Sequence, residues 1–273
     1  MSIGERGTDG AQRCIFCSSF GLSKEHFWPG WAHSLFAGPK PPNDAYRLEF
    51  ITGTEVRFGP SFGRRQGTLL NKKFRVVCKK CNNGWMSQLE TDVKPIILAM
   101  LSGERVAISA KEQAALARWI MLKVIVIDQS IPRDAVISAH DRMEFMAGRA
   151  AEASFTIYVA HCISPRWSLN MFRKSVAIAK AATPVSSSKN VQTTAFGFGT
   201  LFCYCVVHTV PEIDLTRIMH TDPRTPSIPS DECLMWPPET SIGEEEANEV
   251  AQSMHEFLFG PNIRWVSREG AGE

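Results

Sequence analysis

Cys78-Lys-Lys-Cys-Asn-Asn-Gly-Trp-Met86 is the stretch on which the reading of this chain turns. It follows a short β-prone run, Phe74 to Val77. It opens a helix expected from Asn82 through Trp85, Met86, Leu89 and Val93, which Pro95 ends or kinks. Its two cysteines have a counterpart upstream, Cys14-Ile-Phe-Cys17, with residues 18–77 between the hooks. Two C-x2-C hooks offer four soft thiolates, the donor set that suits tetrahedral zinc. Each short loop places both sulfurs on one side of the ion. Four thiolates fill the coordination sphere, so such a zinc is structural and holds no catalytic water. The competing reading is two unrelated cysteine pairs. A redox role fits poorly, because no βαβ unit surrounds either pair.

Between the hooks lies Ser23-Lys-Glu-His-Phe-Trp-Pro29. This segment, flanked by the two cysteine hooks, resembles the HNH nuclease superfamily in its treble-clef, zinc-hook form. Members carry C-x2-C, then an acidic residue with His and a nearby Pro, then C-x2-C-N opening a helix. The ordering is similar to that of endonuclease VII-like phage resolvases and of bacterial HNH proteins with E-H-x-x-P-x-W and C-x-x-C-N-N-G-W-M. The match covers residues 12–92, about a third of the chain. The resemblance implies that His26 is a general base on water and Glu25 an acidic metal ligand. It implies that Asn82 also holds the divalent ion, with Asn83 an adjacent alternative. Glu stands where Asp is usual. The middle Asn of the motif has its best candidate in Asn71, and the histidine that ends the motif in many members is absent. The alternative is a catalytically inactive treble-clef module that binds nucleic acid or a protein.

The chemistry is coherent on its own terms. Phosphodiester hydrolysis near pH 7 needs a base in the range of histidine. It also needs a hard cation, and Mg²⁺ or Mn²⁺ takes oxygen ligands such as those of Glu25 and Asn82.

The charge distribution agrees. The net charge is only +2. Residues 1–94 hold 14 Lys+Arg against 8 Asp+Glu, 14 − 8 = +6; residues 95–273 hold 16 against 20, 16 − 20 = −4. From Arg57 to Lys80 the chain has basic residues and no acid. Arg64, Arg65, Lys72, Lys73, Lys79 and Lys80 are candidates for phosphate contact, with DNA expected before RNA. The plainer reading is a solvated loop and strand edge. Cutting both strands would call for a two-fold dimer, for which no sequence feature speaks. The apolar run Trp119 to Ile127, interrupted by Lys123, is too short for a bilayer span. No secretory signal opens the chain, so a cytoplasmic location with reduced thiols is expected.

The expected fold is α+β, with an N-terminal ββα-metal (treble-clef) zinc module over 1–94 and a larger domain over 95–273 with antiparallel strands. A strand pair is expected over Leu48 to Phe58. The capping box Ser109-Ala-Lys-Glu112 starts a buried helix to about Asp128. A helix is expected from Pro132 to about Ala147, stopped by Gly148. Strands are expected at Ser154 to Ile163, Ser175 to Ala182 and Thr193 to His208. Phe196-Gly-Phe-Gly suggests a bend or a close backbone approach. His220 to Pro238 reads as a loop. Ser241-Ile-Gly-Glu244 reads as a second capping box, opening a helix to Phe259. Trp28, Trp31 and Trp85 are expected to pack over the zinc core, and Cys162, Cys203, Cys205 and Cys233 to be packing thiols.

Overall fold

The hairpin that carries the motifs is antiparallel and irregular. Strand β1 (Leu22–His26) pairs with β2 (Lys73–Cys78), with Leu22 opposite Cys78 and Ser23 opposite Val77. The register then slips, so that Glu25 faces Phe74 and His26 faces Lys73. Such a bulge re-aims the side chains beyond it. A short helix α1 (Ala32–Leu35) follows β1. Strand β2 runs into a single turn α2 (Lys79–Cys81), a π turn over Asn82–Met86, and helix α3 (Ser87–Leu101). The computed structural model describes residues 12–36, 69–177, 189–210 and 224–259, the last six as backbone. The strand pair expected over 48–58 lies outside the described residues, as do Arg64 and Arg65.

Helix α3 does not end at Pro95. It continues to Leu101, because buried Val93, Ile96, Ile97 and Met100 hold both sides of the proline on the core. One missing N–H donor does not outweigh that packing. The division drawn at 94/95 therefore falls inside a helix.

Strand β3 (Val106–Ile108) leads to α4 (Ala110–Asp128). The expected capping box is present: Glu112 N donates to Ser109 Oγ at 3.3 Å, and Ser109 N to Glu112 Oε2 at 2.8 Å. Every residue of 122–128 is buried, so this half of α4 is enclosed on all faces.

The helix expected over 132–147 is split. A 3₁₀ turn at Pro132–Asp134 is followed by α5 (Ala139–Met146). The buried Asp128 carboxylate explains the break. It accepts Val136 N at 2.9 Å and Ile137 N at 3.1 Å, which draws that segment out of helical geometry. A second capping box, Ser138 with Asp141, then starts α5.

Strands β4 (Ser154–His161), β5 (Met171–Val176), β6 (Val191–Phe198), β7 (Leu201–His208) and β8 (Ser227–Ile228) form one antiparallel sheet in the order β5-β6-β7-β4-β8. Of the strand expected at 175–182, residues 178–182 lie outside the described residues; β5 pairs Met171 to Val176 with Phe196 to Val191 of β6. The proline-rich segment is not all loop: besides β8 it carries β9 (Leu234–Trp236), which pairs with β3. The FGFG segment makes both features expected of it. Gly199 has φ +61 in the β6–β7 turn, and a Cβ at Gly197 would lie 1.5 Å from the Trp167 carbonyl oxygen. Helix α6 (Glu244–Phe259) starts at Glu244, so Ser241 stands outside it and not at its N-cap. Ser241 Oγ instead bonds His161 Nδ1 at 2.7 Å, and Gly243 N donates to Glu246 Oε2.

The architecture is α+β with antiparallel sheets. One face of the large sheet presents Val159, Phe196, Phe198, Cys203, Cys205 and Val207 to the core that includes α4. The other presents Tyr158, Ala160, Phe202, Tyr204 and Val206 to Ala247, Val250 and Ala251 of α6. Phe27 and Trp28, just after β1, belong to the first core, with Phe27 5.7 Å from Phe196 between ring centroids.

Candidate metal centre and adjoining cleft

Two tight turns bring the cysteine hooks together. Ser18 N donates to Cys14 O, and Ile15 N reaches Val76 O of β2. At the other hook Cys81 N donates to Cys78 Sγ at 3.4 Å. The sulfurs of Cys14, Cys17, Cys78 and Cys81 all lie within 4.8 Å of one another. Tetrahedral Zn–S bonds of about 2.3 Å place sulfurs about 3.8 Å apart. The four thiols therefore fit a single metal ion such as zinc. Phe16 and Trp85 close over this cluster, edge to face at 4.9 Å.

The same hairpin builds a small polar cleft of about 200 Å³ beside it, lined by Glu25, His26, Asn82, Asn83, Ser87 and Glu90 among others. The bulge in β1 turns Glu25 inward, where it is 6% exposed, and leaves His26 half-buried. Asn82 follows the last cysteine directly, so the hook that positions Cys81 also positions its amide. Its Nδ2 donates to Ser23 Oγ at 3.3 Å, and the amide favours the ionised form of the Glu25 carboxyl. Asn83 lies exposed at the rim. Asn71 ends a 3₁₀ turn (Leu69–Asn71), is exposed, and is not one of the residues lining the cleft.

Electrostatics distinguish the two central groups. Burial pushes the Glu25 carboxyl up to about 7, with Glu90 adding to the rise and Lys123 and the Asn82 hydrogen bond opposing it. Burial also pulls His26 below its ordinary value, assisted by Lys73 across the strand and by His33, whose ring stands edge-on at 5.9 Å. His26 is thus neutral at pH 7 and able to accept a proton.

Of the basic residues, Lys73, Lys79 and Lys80 are exposed along β2 and the cysteine turn. Lys72 is half-buried, its ammonium 5.2 Å from the Phe74 ring centre. Trp28 and Trp85 are packing residues: Trp28 lies against Phe27, Phe196 and Phe198, and Trp85 against Phe16 and Phe145.

Glu90, which lines the cleft, and Lys123, which pairs with two of its lining carboxylates, escape a motif-based reading. Glu90 shares a helical face with Asn83 and Ser87, at spacings of i, i+4 and i+7, which was the available signal. Lys123 comes from α4, is 1% exposed, and places Nζ 2.6 Å from Glu90 Oε1 and 4.0 Å from Glu25 Oε1. Its signal was a lysine inside an apolar helix, which requires a buried anion.

No family model, no curated protein and no solved structure matches this chain. Among the described residues, no helix is long and apolar enough to cross a membrane.

Proposed function

We propose that this chain is an HNH-type, metal-dependent endonuclease that hydrolyses DNA phosphodiester bonds. One observation carries the reading: the adjacent pair Glu25 and His26 and the sequence-distant Asn82 line one polar cleft beside the four-cysteine cluster. Zinc at Cys14, Cys17, Cys78 and Cys81 is the structural ion. Glu25 and the Asn82 amide oxygen suit Mg²⁺ or Mn²⁺, since both offer the oxygen donors that these hard cations take. Bound there, a divalent cation would neutralise charge on the leaving oxygen. The neutral His26 imidazole takes the proton from the attacking water at a ring nitrogen. Lys73, Lys79 and Lys80, with Lys72, Arg64 and Arg65, contact phosphates, which gives affinity without sequence choice. RNA is the second substrate class in this reading. Cleavage of both strands would use a homodimer, and the setting is the cytoplasm.

A second reading, a treble-clef module that binds nucleic acid or a protein without cutting, is favoured by Lys123, whose ammonium already compensates the two carboxylates. Plasmid incubated with the zinc-loaded chain and Mg²⁺ or Mn²⁺ separates the two. The nuclease reading expects nicking by wild type and a loss of about 10²–10⁴-fold in His26→Ala. No nicking by wild type, or equal cutting by the variant, leaves the binding module.

A further inference from the structure

Lys123 is an expensive residue where it stands. It sits among Leu122, Val124, Ile125 and Val126 in the enclosed half of α4, and its stem and ammonium are almost wholly out of water. A buried ammonium persists only when anions compensate it. Here Glu90 of α3 is the close partner at 2.6 Å, and Glu25 of β1 lies 4.0 Å away. The Trp119 ring centre is 5.6 Å from the same Nζ, a further attraction for a cation. Both carboxylates also line the polar cleft with His26 and Asn82. With both carboxylates ionised, two negative charges and one positive give the cluster a net −1. Without the lysine it would be −2, the charge that one divalent ion neutralises, against an excess of +1 when that ion binds with the lysine in place.

We propose that Lys123 is the resident cation of this cleft. It holds the position between Glu90 and Glu25 that a divalent ion would otherwise reach, so that the cleft accepts such an ion on the Glu25–Asn82 side and holds it more weakly. The inference rests on the reading of Glu25 and Asn82 as the residues that hold that ion. It also means that the charge balance of the cleft is set from α4, beyond the segment that carries the motifs. A lysine that only staples α3 to α4 would leave cation affinity untouched, and this separates the two roles.

The test is titration of the full, zinc-loaded chain with Mn²⁺, read by electron paramagnetic resonance of free Mn²⁺, with zinc content measured in parallel. Wild type is expected to bind one Mn²⁺. Lys123→Met is expected to bind that ion about tenfold or more tightly. Combining it with Glu90→Gln should return binding to the wild-type level. Glu90→Gln alone leaves Lys123 to Glu25 and should weaken Mn²⁺ by about tenfold. A zinc-retaining Lys123→Met that binds Mn²⁺ as wild type does would overturn the proposal. Should that variant lose zinc or solubility, Glu90→Gln decides, and unchanged affinity there overturns it. If wild type binds no Mn²⁺ and Lys123→Met binds one, the resident cation stands while the nuclease reading fails. If neither binds, both fall.

Discussion

The ring centroid of Phe198, at the end of β6, lies 5.3 Å from that of Trp28, at the end of the β1 motif. Phe198 also meets Trp31 at 5.6 Å, Phe36 at 5.2 Å and Trp119 at 6.2 Å. A strand of the large sheet is thus the aromatic floor of the segment that carries Glu25 and His26. Phe198→Ala should destabilise the chain by about 3–5 kcal/mol. Because one core spans both regions, denaturant unfolding followed by tryptophan fluorescence and by far-UV circular dichroism should give coincident transitions. Two separated transitions would refute that coupling.

Gly197 gives a sharper steric prediction. The Trp167 carbonyl oxygen occupies the space of any Cβ at that position, at 1.5 Å. Gly197→Ala must push the β5–β6 edge away from the 3₁₀ turn at Pro165–Trp167 and should cost more than about 4 kcal/mol. Gly30→Ala, with nothing within 4 Å of its new Cβ, is the control and should leave the melting temperature within a few degrees.

Asp141 predicts an acid dependence. Burial alone would raise its pKa, but bonds from Ser138 Oγ at 2.6 Å, Ala153 N at 3.0 Å and Glu152 N at 2.7 Å outweigh it, leaving the carboxyl below its ordinary 3.8. A folded-state pKa below the unfolded one means that the contribution is fully present above about pH 4 and is lost as pH falls through the folded value. Asp141→Asn should therefore cost about 1–3 kcal/mol at pH 7. Its stability should converge on that of wild type below pH 4. A difference that stays constant from pH 7 to pH 3 would disprove the account.

The cysteine cluster predicts metal-dependent folding. Metal analysis should find one zinc per wild-type chain, and Cys78→Ser should abolish it. Metal binding at such a site is part of the folding free energy, so the variant and the chelated wild type should lose cooperative unfolding. A fully folded, metal-free Cys78→Ser protein would dispose of the zinc assignment.

Features set by local spacing were legible in the sequence. The Cys14/Cys17 and Cys78/Cys81 hooks are pairs whose geometry a three-residue step nearly dictates. The Ser109–Glu112 capping box works over one turn, and both the turn and the close approach at Phe196-Gly-Phe-Gly follow from the absence of a Cβ. Motif order placed Glu25, His26 and Asn82 as candidates, and they meet in one cleft.

Local signals failed where a distant residue competed for the same group. Ser241 has the pattern of a cap, yet His161 of β4 takes its hydroxyl. The stretch 132–147 has helical composition, yet the buried Asp128 carboxylate breaks it by claiming two backbone N–H groups. Pro95 has the form of a terminator, yet the core holds α3 together on both sides of it. Lys123 was visible as an anomaly within an apolar helix, but no spacing rule pairs position 123 with 90 and 25. Backbone geometry over a few residues determines hooks, caps and turns, because their partners lie within one turn of chain. The charge balance of the cleft was decided only by the packing of α4 against α3 and β1, because a buried ammonium must find its anions wherever the core brings them.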